Sequence, residues 1–190
     1  MNEYRSDEQF NAVNFKDYLD LPGDFEECDF SNCDFSEVNL SACRFTDCHF
    51  EACNFSGAKL LKTAIQNCHF KDCKLLGLAF ETCSDFAFSP HFEGCNLQHS
   101  SFYACLIKGV VFRNCNLAEV DFSDAKLNEA NFESSDLRGA IFSQTLLEKA
   151  NFSQAFNFNI DPNQNRIKGA IFDRDSLEGL LYNYALQIKA

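Results

Sequence analysis

Tryptophan is absent from the 190 residues, methionine occurs once, proline three times and glycine eight times. Glycines so few and scattered build no phosphate-cradling loop. No Gly-x-Ser-x-Gly or His-Glu-x-x-His pattern occurs, so the chain lacks the usual marks of nucleotide binding, serine hydrolysis and zinc proteolysis. Cations are also scarce: 16 Lys and Arg stand against 28 Asp and Glu, a formal net charge of -12. A chain so acidic repels nucleic acid and anionic membrane, so direct binding to either is not expected and a basic partner fits better. No apolar run is long enough to span a bilayer, and Met1 to Phe10 is polar, which leads to the expectation of a cytoplasmic protein.

What the chain has in excess is phenylalanine, 22 residues, and cysteine, 11 residues. Both follow one rule. Phe, Leu or Ile recurs every fifth residue: Phe25, Phe30, Phe35, Leu40, Phe45, Phe50, Phe55, Leu60, Ile65, Phe70, Leu75 and Phe80. The series resumes at Phe92 and continues through Leu97, Phe102, Ile107, Phe112, Leu117, Phe122, Leu127, Phe132, Leu137, Phe142 and Leu147 to Phe152. Neither a helix of period 3.6 nor a strand of period 2 uses a period of five, whereas a chain turning a corner every five residues does. Ten of the cysteines lie two residues before a centre, and Cys83 keeps their phase; the same slot holds Ala58, Ala125, Ala130, Ala140 and Ala150. The cysteines therefore read as small packing residues equivalent to Ala or Val, in a reducing compartment, with no disulfide framework, metal or cofactor.

The unit seen in Cys33-Asp34-Phe35, Cys53-Asn54-Phe55, Ala130-Asn131-Phe132 and Ala150-Asn151-Phe152 resembles that of the pentapeptide-repeat family, over roughly residues 23–172. The resemblance implies an all-β solenoid: a right-handed, four-sided parallel β-helix, four pentapeptides to a coil, with the centre and the small residue inward. Residues 20 apart then stack at about 4.8 Å, and eight or nine coils give a rod about 40 Å long. One column becomes Phe throughout, from Phe10 and Phe30 up to Phe152 and Phe172.

Three interruptions define the expected organisation. Residues 1–22 form an N-terminal cap coil of a solenoid covering 1–172. Residues 84–91 hold a two-residue insertion that bulges from one face and carries Phe86 and Phe88. Residues 173–190 form a capping helix and a dimerisation tail, started by a capping box at Asp175-Ser176-Leu177-Glu178. Leu177, Leu180, Leu181, Tyr184, Leu186 and Ile188 are the expected dimer contacts.

No catalytic constellation is present. His49, His69 and His91 share the slot before the centre on successive coils and are expected as a column of exposed polar side chains. Acidic residues gather between Asp24 and Glu51 and again between Glu119 and Asp136. Asp34, Glu37, Asp47, Glu51, Glu119, Asp121, Asp124, Glu129, Glu133 and Asp136 are the candidate partner-binding groups, with Phe86 and Phe88. The Qnr and MfpA branch of the family implies what such a surface does: a non-enzymatic DNA mimic binds DNA gyrase or topoisomerase IV and protects it from quinolone-like poisons. The alternative is a structural or regulatory scaffold with an unrelated partner. The long projecting loops of the Qnr type are absent.

Overall fold

A computed structural model describes residues 3–17, 23–184 and 186–187. Its regular elements are β1 (Glu3–Ser6), β2 (Gln9–Asn11), β3 (Gly23–Glu26), β4 (Asp29–Ser31), β5 (Arg44–Thr46), β6 (His49–Glu51), β7 (Ala64–Gln66), β8 (Cys68–Lys71), β9 (Pro90–Glu93), β10 (Val111–Arg113), β11 (Asn151–Phe152), β12 (Ile171–Phe172) and the one-turn α1 (Glu178–Leu181). Every pairing is parallel. One sheet runs β1-β3-β5-β7, a second runs β2-β4-β6-β8-β9-β10, and β11 pairs with β12. Between them the walls are continued by single parallel bridges such as Asn96 with Asn116 and Leu106 with Lys126. The result is a parallel β-solenoid of about eight turns.

Four faces follow one another along each coil, each defined by the column behind it. Phe30 lies behind the first face, Phe35 behind the second, Leu40 behind the third and Phe45 behind the fourth. The first column is unbroken phenylalanine. Phe10, Phe30, Phe50 and Phe70 stack at 4.7, 4.7 and 4.8 Å, and Phe112, Phe132, Phe152 and Phe172 at 5.4, 4.8 and 4.8 Å. Rings of neighbouring columns meet edge-on, as Phe92 meets Phe102 at 6.0 Å and 75°. Stacked and edge-on contacts at these separations are favourable beyond burial, and each buried Phe adds about 1.5–3 kcal/mol.

The corners explain the period. Apart from Thr82 after Phe80, the second residue after each centre from Phe25 to Phe152 takes a left-handed backbone, at Ala42 (φ 62°) and Glu119 (φ 59°) as much as at Gly57 (φ 69°). Two kinds of corner occur. In the first, the amide three residues on closes to the carbonyl of the centre, as Ala130 donates to Leu127 at 3.0 Å. In the second, the bend lies beside a strand and a thiol makes the contact. Cys53 Sγ donates to the Phe30 carbonyl one coil below at 3.4 Å, and Cys33, Cys73 and Cys95 do the same to Phe10, Phe50 and Phe70. The cysteines are thus more than stand-ins for Ala. Ser135 continues their column, its hydroxyl donating to the Phe112 carbonyl at 2.7 Å. All eleven thiols are buried and free.

The N-terminal coil stays in register, with Phe10 opposite Phe30 and Asn14 opposite Asp34. At the C-terminus the expected capping box does not form. Leu177 stands at the N-cap of α1 without a side-chain cap, while Ser176 Oγ turns back to the Asp173 carbonyl at 3.0 Å. The reason is a close approach. Ile160 donates to the Gly179 carbonyl at 3.0 Å, and a Cβ on Gly179 would lie 2.5 Å from the Phe158 ring. Packing against the last coil, not capping, positions this turn.

Candidate interaction surface

Among the described residues, no group of three His, Cys, Asp or Glu is disposed to hold a metal ion. What the wall presents is side chains at fixed heights on four faces.

The ten candidate carboxylates are not gathered on one side. Residues adjacent in sequence travel round the rod, so Glu119, Asp121, Asp124, Glu129, Glu133 and Asp136 girdle a single coil. Asp34 and Glu37 lie on the second face, Asp47 on the fourth and Glu51 on the first, so the Asp24–Glu51 group likewise winds round the lower coils. Between these girdles lies a basic one that the sequence reading missed: Lys59, Lys62, Lys71 and Lys74, against Asp72. Its signal was present in the charge order but not in any motif.

The carboxylates also differ in what they already hold. Asp34, Asp121 and Asp136 each accept a backbone amide two residues on, at 2.9, 2.8 and 3.1 Å, and so brace their own corners. The Ser36 hydroxyl at 2.6 Å, with its amide and Lys16, holds the Asp34 carboxyl below the usual range. At Asp136 burial opposes ionisation, but Asn157 at 2.8 Å and Arg138 at 2.6 Å outweigh it and lower the pKa. Glu51 pairs with Lys71 at 2.7 Å, Glu119 lies 3.2 Å from His99, and Glu129 pairs with Lys108 at 3.2 Å. Asp47 accepts from Asn67 at 2.5 Å. Glu37 and Asp124 stand exposed at left-handed corners, and Glu133 is half-buried.

The histidine column forms as expected. His49 and His69 stack at 5.2 Å, His69 and His91 at 4.7 Å, with Asp29 3.5 Å below His49. Desolvation, then the neighbouring His91 and His49, lowers the pKa of His69. The rings lie face to face, nearly parallel.

The insertion divides its two aromatics. Phe86 projects, 78% exposed, while Phe88 turns back onto Phe80 at 6.3 Å and joins the core. A recess of about 280 Å³ opens beside it, lined by Phe80, Cys83, Phe88, Tyr103 and Leu106, with Glu81 and Asp85 among its polar groups. Burial, then Glu81 and Asp85, pushes the Cys105 thiol at its wall up to about 12, so it is unreactive.

Of the expected dimer contacts, Leu180 packs against the core, Leu181 is half-buried, and Leu177 and Leu186 are exposed. Asn163 Nδ2 donates to the Tyr184 hydroxyl at 2.7 Å. Ile188 lies outside the described residues.

A family model described as a pentapeptide repeat region matches residues 23–84 and 79–152. The chain belongs to the pentapeptide-repeat family. Among solved structures, this pentapeptide-repeat protein is similar to trypsin-treated QnrB1, a plasmid-mediated fluoroquinolone resistance protein: 20% identity, 100% of this chain and 99% of that one, TM-score 0.46. It is also similar to HetL, involved in heterocyst differentiation regulation in the cyanobacterium Nostoc: 16% identity, 90% and 85% coverage, TM-score 0.31. A third similar structure, from the Arabidopsis thaliana thylakoid lumen, has 18% identity, 60% and 85% coverage and TM-score 0.37. No curated protein matches. The pentapeptide-repeat assignment fixes the coil, and the roles named for those relatives remain theirs.

Proposed function

We propose that this pentapeptide-repeat protein performs no chemistry and instead binds a type II topoisomerase, DNA gyrase or topoisomerase IV, as a mimic of DNA, protecting it from quinolone-like poisons. The observation that carries this reading is the girdle from Glu119 to Asp136. Six carboxylates against Lys126 and Arg138 within one coil of about 4.8 Å leave a net of -4, roughly 0.8 charge per Å of axis, at least as dense as the charge per ~1.7 Å of a DNA duplex. The wall behind them is closed and stacked, so their spacing is set before any partner arrives, which favours charge complementarity.

A second reading is favoured by the basic girdle of Lys59, Lys62, Lys71 and Lys74, a feature no duplex has. It makes the rod a scaffold of alternating charge for an unrelated partner. Gyrase supercoiling assays with and without a quinolone, titrated with the purified protein, separate the two. The mimic either inhibits supercoiling at high ratio or restores it under drug. Neither effect, together with no binding to either enzyme, leaves the scaffold.

A further inference from the structure

The charge of the fourth face changes sign along the axis. Its lower coils carry Asp24, Glu26, Glu27 and Asp47 against Arg44. Its upper coils carry Lys108, Lys126, Lys149, Arg166 and Lys168 against Glu129 and Glu148, so the two ends have nets of -3 and +3. The upper cations share one wall: Leu106 bridges to Lys126, Lys126 to Leu146 and Leu146 to Arg166, while the Lys149 amide meets the Lys168 carbonyl at 3.0 Å. Lys108 is paired with Glu129. Among the described residues, Lys126, Lys149, Arg166 and Lys168 make no ion pair and stand exposed. An unpaired basic end on a chain of net charge -12 seeks an acidic surface.

We propose that this face is a self-association surface, on which two copies lie side by side and antiparallel. The coil count supports a second copy as the occupant. From Asp24 the wall climbs through Arg44 and Ala64 to Phe86, which is held over the Ala64 coil by the Gln66 side chain at 3.3 Å. That is three steps, and Leu106 to Arg166 is three more. A two-fold axis between the Phe86 and Leu106 levels therefore sets the acidic Asp24–Glu27 coil of each copy against the Arg166–Lys168 coil of the other. A parallel pairing would put like charges together. At the axis stand two exposed apolar groups, Phe86 (78%) and Leu106 (59%), beside the 280 Å³ recess, which has room for the Phe86 ring of the second copy. The isologous arrangement is the one a closed dimer requires. Because the contact is largely exposed charge, salt screens it over about 8–10 Å. It is distinct from any contact made by the C-terminal turn, and the two together would join dimers into larger assemblies.

The test is the mass of the full chain by light scattering and sedimentation at 20 mM and 500 mM salt. The wild type is expected to double its mass at low salt relative to high salt, whatever state the C-terminal end sets. Two surface variants, Glu26→Lys with Glu27→Lys and Arg166→Glu with Lys168→Glu, are each expected to lose that doubling. Mixed one to one, they are expected to regain it, since one variant is basic at both ends and the other acidic at both. Phe86→Ser is expected to weaken doubling at least several-fold without changing its salt dependence. Circular dichroism identical to wild type establishes that each variant is folded. A wild-type mass that does not respond to salt overturns the proposal. So do charge variants that double alone, or a mixture that stays apart.

Discussion

The two halves of the rod close the corners after their first and fourth faces by different means. From Phe25 to Phe112 the core is mainly Phe with Cys, strands β3 to β10 line the first and fourth faces, and thiols reach the carbonyls below. From Leu117 to Ala150 the centres alternate Leu with Phe, the small slot is largely Ala, and corners close by amide to carbonyl without a named strand. Leu117, Ala125, Leu127, Ala130 and Leu147 are all at 0% exposure, so the upper half is packed no less tightly. Five residues per side fixes the register; strand pairing is optional.

The register common to both halves is broken by Phe112→Asp. A carboxylate at 0% exposure inside the Phe column costs several kcal/mol however it is accommodated, enough to exhaust the stability of a domain of this size. Loss of the cooperative unfolding transition is expected; a soluble variant with near-native thermal stability would mean that Phe112 does not point inward.

The contrast between corners is sharpened by two matched deletions. Cys53→Ala removes a thiol that contacts the Phe30 carbonyl, whereas Cys105→Ala removes one at a corner already closed by its own amide at 3.0 Å. Equal volumes are lost, so Cys53→Ala is expected to cost about 1 kcal/mol more, read from urea midpoints. Equal costs would make the thiol contact energetically empty.

The smallest expected effect is pH dependence in the lower half, where the histidine column has charged neighbours Asp29, Glu51, Lys71, Glu93 and Arg113. The folded state holds His69 below its ordinary pKa, so it binds that proton less readily than the unfolded chain. Stability is full above the ordinary histidine pKa of about 6.5 and falls as pH drops below it. His69→Asn, the residue the column itself uses at Asn131 and Asn151, is expected to flatten the loss in melting temperature between pH 7.5 and 5.5. An unaltered slope would assign the acid sensitivity elsewhere.

Much of this fold is written in the sequence, because a five-residue period places inward residues without further information. The Phe10–Phe172 column and the stacking of His49, His69 and His91 follow from counting alone. The surface is harder to read for the same geometric reason. Neighbours in sequence go round the rod while residues 20 apart meet, so the Glu119–Asp136 cluster, which looks like a patch, becomes a girdle. The basic end of the fourth face, spread from Lys108 to Lys168, looks like nothing. The capping box misled because a local side-chain motif competes with tertiary packing, and Gly179 against Phe158 decides that end of the chain. Phe86 and Phe88 have the same residue type two positions apart, and only the insertion's path sends one outward and the other into the core.

The central functional claim is that the acidic exterior acts in place of DNA. It is tested most directly by competition: gyrase bound to the labelled protein, challenged with duplex DNA across a salt series, alongside a variant with Glu119, Asp124 and Glu129 changed to Lys. Displacement by DNA, affinity falling steeply with salt, and a loss of at least tenfold in the variant are the results expected. Binding that survives saturating duplex and ignores both salt and charge reversal would contradict the claim.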